Sequence, residues 1–159
     1  MLTASPVCAK VASVSLADLA GDSELIVVAR IERVSNPLFG KRRAGAVVSE
    51  VWKGAPLEVV EFPDSPTWTC AITYAKKGET AVLFLEKSEG SRSYQIALFG
   101  RGQMPQREVS GKTCVDICAD VRLPSNAPVE GTLGEYAWIR FVELSTLQKL
   151  VQSPPVNKE

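Results

Sequence analysis

The chain has 159 residues, with 18 basic and 18 acidic side chains, so its formal charge is zero and neither a basic nucleic-acid face nor a polybasic membrane anchor is expected. It contains no histidine, which excludes Ser-His-Asp and Cys-His catalysis and any zinc site built on imidazole. The length is that of one domain able to bury a core, and no apolar run approaches the roughly 20 residues of a membrane span.

Ser15-Leu-Ala-Asp18 predicts a short helix, capped by Ser15, favoured by Asp18 at its positive end and stopped at Gly21. Leu16, Leu19 and Ala20 would face the core. Glu24 to Val34 predicts a long strand, continuously apolar in its first half and alternating in its second. Asn36-Pro37 ends it. Leu38 to Gly45, with Lys41-Arg42-Arg43, reads as a hairpin loop, and a solvated tip is the simplest account of the basic run.

Further strands are predicted at 46–53, 57–62, 80–85 and 93–99, separated by turn chemistry such as Gly54-Ala-Pro56, Pro63-Asp-Ser-Pro66 and Lys77-Gly78. This spacing predicts a mainly β fold, with five strands closing into an OB-like barrel between short N-terminal and C-terminal helices. Residues 100–134, punctuated by Gly and Pro, read as a long decorated loop with a short strand through Thr113 to Ile117. A last strand is predicted over Tyr136–Leu144. Ser145-Thr-Leu-Gln148 has capping-box spacing for a closing helix whose apolar face is Leu147, Leu150 and Val151. The expected organisation is one domain over 1–152 and a flexible tail over 153–159.

The four cysteines Cys8, Cys70, Cys114 and Cys118 allow three pairings, and the even count fits two disulfides and an oxidising compartment. Four reduced, buried thiols are the alternative. Cys114 and Cys118 would tie the long loop locally. Their C-x3-C spacing is that of neither a redox motif nor a zinc knuckle, so no metal is expected. Met1-Leu-Thr-Ala-Ser-Pro-Val lacks the charged start and apolar middle of a secretory signal. The expectation is an extracytoplasmic protein, periplasmic or secreted, whose signal peptide has been removed.

In order, the chain carries a short helix, Glu-Leu-Ile-Val-Val-Ala-Arg-Ile from Glu24, Val-Ser-Glu-Val-Trp-Lys-Gly from Val48, Thr69-Cys70, and Lys-Lys-Gly-Glu-Thr-Ala-Val-Leu-Phe-Leu from Lys76. This order over Cys8 to Phe99 resembles the netrin-like domains, the group that includes the tissue inhibitors of metalloproteinases and bacterial exported relatives. The resemblance implies an OB-like barrel and a disulfide joining Cys8 to Cys70. It also implies protein partners, peptidases among them. The animal inhibitors begin Cys-x-Cys and chelate the protease zinc through the first cysteine's free amino group. Here Lys10 stands in place of the second cysteine and seven residues precede Cys8, so that chelation is not expected.

Trp52 and Trp138 sit in strand patterns and read as core or barrel-end packing. Trp68 lies in a Pro-flanked loop beside Cys70 and is the best exposed aromatic candidate. Arg101 and Arg107 bracket Gly102-Gln-Met-Pro105, an anion-binding candidate because Arg matches carboxylate and phosphate geometry. Asp116 and Asp120 flank Cys118 and read as solvated loop carboxylates. The candidate binding residues are therefore Cys8, Trp68, Thr69, Cys70, Arg101 and Arg107. No acid–base constellation stands at credible spacing, so an enzyme is not expected and no cofactor is implied. The expected function is a non-enzymatic exported module that binds another protein. The alternatives are a netrin-like peptidase inhibitor and a small-molecule or saccharide binder at the barrel mouth.

Overall fold

The computed structural model describes residues 13–64, 74–88, 90, 93–134 and 137–153. Cys8, Trp68, Thr69 and Cys70 lie outside them. The described chain is mainly β, with two short helices. After the two-residue strand β1 (Val14–Ser15), Ser15 caps helix α1 (Leu16–Asp22): its Oγ accepts from the Asp18 N–H at 3.0 Å and donates to the Asp18 carboxylate at 2.6 Å. Gly21 lies inside the last turn rather than after it. The stop is Ser23, whose N–H and hydroxyl both donate to the Leu19 carbonyl.

Strands β2 (Leu25–Ser35), β3 (Arg43–Lys53) and β4 (Val59–Pro63) form an antiparallel meander, and β5 (Thr80–Lys87) returns along the other side of β2. The continuously apolar halves of β2 and β5 are central and covered on both sides, as their composition predicts. Ile26, Val28, Val82 and Phe84 join Leu16, Leu19, Trp52 and Leu147 in a core beneath the helices. Leu25, Val27, Ile31, Leu83 and Leu85 face the opposite side, where Phe62 and Val60 of β4 pack on them. Three register shifts along β2–β3 bend this hairpin and carry β4 round onto that side.

β6 (Tyr94–Ile96) pairs with β5 at Leu85–Lys87. β4 and β6 then lie side by side, but no ladder joins them. The sheet is open, with the order β10-β11-β8-β7-β5-β2-β3-β4 and β6 attached to β5. The closed five-strand barrel expected from the strand spacing is therefore not formed by backbone pairing. The fifth predicted strand, 93–99, also ends early. Ala97 to Gly102 leaves the sheet as a turn, the 3-10 segment Leu98–Gly100 included, before β7 (Gln103–Val109) resumes pairing with β5 at Ala81–Leu83. Gly102 is required there, because a Cβ would stand 2.7 Å from the Phe84 carbonyl oxygen.

The span 100–134 is not a long loop. It carries β7, β8 (Lys112–Cys118), β9 (Val121–Arg122) and β10 (Gly131–Leu133), and β11 (Ile139–Glu143) lies between β10 and β8. β9 pairs in parallel with β1. The turns that suggested a loop are the tight links of this extension, including Ser110-Gly111 with positive φ at both residues. β11 begins at Ile139, short of the predicted start. It runs straight into α2 (Leu144–Gln152), so the predicted capping box does not form. Glu143 stays paired opposite Cys114 and starts the helix without a side-chain cap, while Ser145 donates to the Glu143 carboxylate at 2.8 Å. Leu147 is buried, and Leu150 and Val151 pack on the helix-side core as predicted. No helix of the described residues is long and apolar enough to cross a membrane.

Candidate functional site

The loop bearing Trp68, Thr69 and Cys70 lies outside the described residues, but both ends of it are described. Asp64 follows β4 directly and Ala75 precedes β5. Asp64 is 5 % exposed, and its two carboxylate oxygens do separate work. Oδ1 accepts the Ala75 N–H at 3.0 Å, and Oδ2 pairs with Arg42 Nε at 2.5 Å. Arg42 then donates through Nη2 to the Ala75 carbonyl at 2.8 Å, and its guanidinium stands 4.8 Å from the centre of the Tyr74 ring. A β2–β3 hairpin residue thus binds the two ends of the 65–73 segment together. The Asp64 N–H closes the arrangement on the Arg42 carbonyl at 2.9 Å. A buried carboxylate is tolerated here because a cation and a backbone donor share it.

At the same end, the β2–β3 tip projects Leu38 and Phe39 into solvent, at 93 % and 90 % exposure. A shallow cleft of about 370 Å³ follows the unpaired seam between β4 and β6, lined by Arg43, Leu57, Val59, Glu61 and Tyr94 among others. Sequence reasoning missed this seam, because it assumed the strands closed. No local pattern in the sequence reports it.

Arg101 and Arg107 do not form one anion loop. Arg101 is 6 % exposed and pairs with Asp120 at 3.1 Å, while its Nε and Nη1 make no hydrogen bond. Arg107 lies on β7, grips Asp116 with two bonds of 2.5 Å, and stacks 4.4 Å from the centre of the Phe141 ring. The Asp116 hydrogen bond raises the Arg107 pKa further. Both acidic neighbours of Cys118 are thus engaged by arginine rather than solvated as loop carboxylates. Among the described residues, no three Cys, Asp or Glu side chains converge to hold a metal ion.

The local Cys114–Cys118 tie does not form either. Both thiols are free and both residues lie on β8. Four residues of strand separate them by about 13 Å, twice the roughly 7 Å a disulfide spans between Cα atoms. The Cys118 thiol instead donates to Asp120 at 3.6 Å. Burial, with the Asp120 carboxylate beside it, pushes its pKa up, and burial does the same at Cys114, where Glu130 and Glu143 add to it. Neither is an activated nucleophile. Trp52 is buried in the helix-side core and donates its indole N–H to Glu50 at 3.0 Å. Trp138, expected in the core or at a barrel end, is 54 % exposed beside β10, the outermost strand of the extension. It precedes β11, on which Val142 faces the core and Phe141 lies on the opposite face under Arg107.

No protein-family model matches the sequence, and no curated protein is significantly similar to it.

Proposed function

We propose that this chain is a non-enzymatic, exported interaction module that binds another protein through the end of the sheet bearing the 65–73 loop. The observation that carries this reading is the Arg42–Asp64–Ala75 clamp. A buried ion pair commits charge and two backbone groups to fixing the base of one loop. Loops held on a rigid base are the usual carriers of recognition. Trp68 and Thr69 are the residues assigned to contact the partner, and an aromatic anchor is the commonest energetic centre of such a contact.

In the same reading, β2 to β6 are a partly open OB-like barrel of the netrin-like kind, with its seam between β4 and β6. Cys8 and Cys70 form the disulfide this family carries, and export supplies the oxidising compartment. Peptide mapping of unreduced, alkylated protein made under oxidising conditions tests both. A linked Cys8–Cys70 peptide supports the reading, and four alkylated thiols count against barrel family and export together.

The partner assignment has its own test. Wild-type bait and a Trp68→Ala, Thr69→Ala bait are compared for capture from an envelope extract. A protein held by the first and lost by the second supports the reading, and equal capture by both refutes it. A panel of metallo- and serine peptidases, assayed with micromolar protein, separates the inhibitor variant from a partner of another class. The seam favours a second reading, a small-molecule or saccharide site, because Tyr94 and Leu57 offer an apolar wall beside Arg43 and Glu61. Saturable binding of a saccharide or small apolar ligand, abolished by Tyr94→Ala, would select it.

A further inference from the structure

The β2–β3 tip is not explained by the loop clamp. Residues 36–42 link two long strands, and every one except Arg42 is exposed. Leu38 and Phe39 stand at the apex almost fully in water, at 93 % and 90 % exposure, the two highest values among the exposed large hydrophobic side chains described. Pro37 precedes them and Gly40 follows with φ of +117°, so the apex is a turn of restricted geometry. Burying either side chain is worth tens-fold in a binding constant, so their display at a convex point is a standing cost in solubility.

The charges around the apex are sorted. Arg42 turns inward to Asp64, and Arg33 pairs with Glu61. Lys41 and Arg43 are exposed and take no ion pair among the described residues. An apolar apex with two uncommitted cations meets the two requirements of interfacial membrane binding, namely apolar insertion and attraction to anionic headgroups. A convex apex also needs no matching pocket in a fluid surface.

We propose that the β2–β3 tip docks onto an anionic lipid surface, with Leu38 and Phe39 entering the headgroup boundary and Lys41 and Arg43 contacting lipid phosphates. Insertion stops there. The loop carries backbone N–H and C=O groups without ladder partners, and these cannot follow the side chains into hydrocarbon. Two apolar residues and two cations give reversible binding rather than anchoring. This is compatible with a chain whose overall charge is zero, because the attraction is local. The inference goes beyond the protein-partner reading and uses none of its contact residues.

Co-sedimentation with vesicles tests it, comparing phosphatidylcholine alone with phosphatidylcholine mixed with phosphatidylglycerol. The expected result is binding to the mixed vesicles that weakens with added salt. Lys41→Gln and Arg43→Gln should each cut the partition coefficient about fivefold. Leu38→Ser with Phe39→Ser should cut it at least about tenfold. These side chains support no packing, so the melting temperature should stay unchanged and serve as the folding control. Trp68→Ala should bind vesicles normally, which separates this inference from the protein-partner reading. No binding to anionic vesicles at low salt overturns the inference. So does binding that survives loss of Leu38 and Phe39. Loss of a purified protein partner, with no vesicle binding by wild type, would reassign the tip to that protein.

Discussion

Two parts of one sheet are built on different rules. From β2 to β6 the central strands are apolar on both faces, one under the helices and one under β4. From β7 to β11 only one face enters the core, through Met104, Val115, Ile117 and Val142. The other face carries Arg107, Asp116 and Phe141 in a charged and aromatic cluster. The first part is held by unspecific apolar burial, and its register is fixed because a one-residue slip would exchange two different cores. The second part gains less from apolar burial and adds directional contacts, which fix geometry more than they stabilise.

The sharpest way to test this contrast is truncation on each side. Phe84, fully buried on β5, should cost about 4 kcal/mol as Phe84→Ala and lower the melting temperature of the whole domain. Ile117→Val on β8 removes one methylene from the same core and should cost about 1 kcal/mol. Chemical denaturation of both variants, followed by far-UV circular dichroism, checks the ranking. Two separate transitions in Ile117→Val would show that the extension folds as its own unit rather than with β5.

Next in size is the loop clamp. Asp64→Ala removes the partner of a half-buried arginine and of the Ala75 N–H, and should cost about 3 kcal/mol. Amide exchange should then rise at Ala75 and the residues following it before it rises in β2. Uniform loss of protection would mean that Asp64 supports the core and not the loop. A smaller effect is expected in the extension. The coupling between Arg107→Ala and Asp116→Ala in a double-mutant cycle should be about 1 kcal/mol, since Arg107 is partly exposed and solvent screens the pair. A coupling near zero would leave the Phe141 ring as the main support of Arg107.

The same contrast explains what was legible in the sequence. The apolar runs at Leu25–Ala29 and Ala81–Leu85, and the cap at Ser15, are local signals, and α1, β2, β3 and β5 stand close to where those signals put them. The extension reads as a loop in sequence because polar residues interrupt its strands, with Arg107 and Asp116 on the face away from the core and Glu108 exposed near the end of β7, and these dilute the apolar pattern. Barrel closure depends on how β4 meets β6 across distant sequence, and no local pattern reports that. The same holds for the site. In sequence Arg42 is one of three basic tip residues, yet its pairing with Asp64 spans 22 residues and only the fold brings the two together. Leu38 and Phe39 were visible in the loop, but nothing local said they would be left bare.

The smallest expected effect lies where the two parts meet. Glu79 stands at the start of β5, near Gln103 of β7 and within reach of the charges on Lys76, Asp116 and Asp64. Burial raises its pKa above the ordinary 4.5, against the opposing pull of Lys76 and the Gln103 hydrogen bond. A carboxyl raised in the folded state favours folding while it is protonated, and that contribution is lost as the pH climbs from about 4.5 through the raised folded value. Glu79→Gln should therefore be the more stable protein at pH 7, by about 0.5 kcal/mol, and match wild type below pH 4.5, where both side chains are neutral. Melting curves at a series of pH values read this directly. A variant that is less stable than wild type at pH 7 would mean that the Lys76 attraction outweighs burial, and that the junction is an ion-pair site continuous with Arg107 and Asp116 rather than the edge of the apolar core.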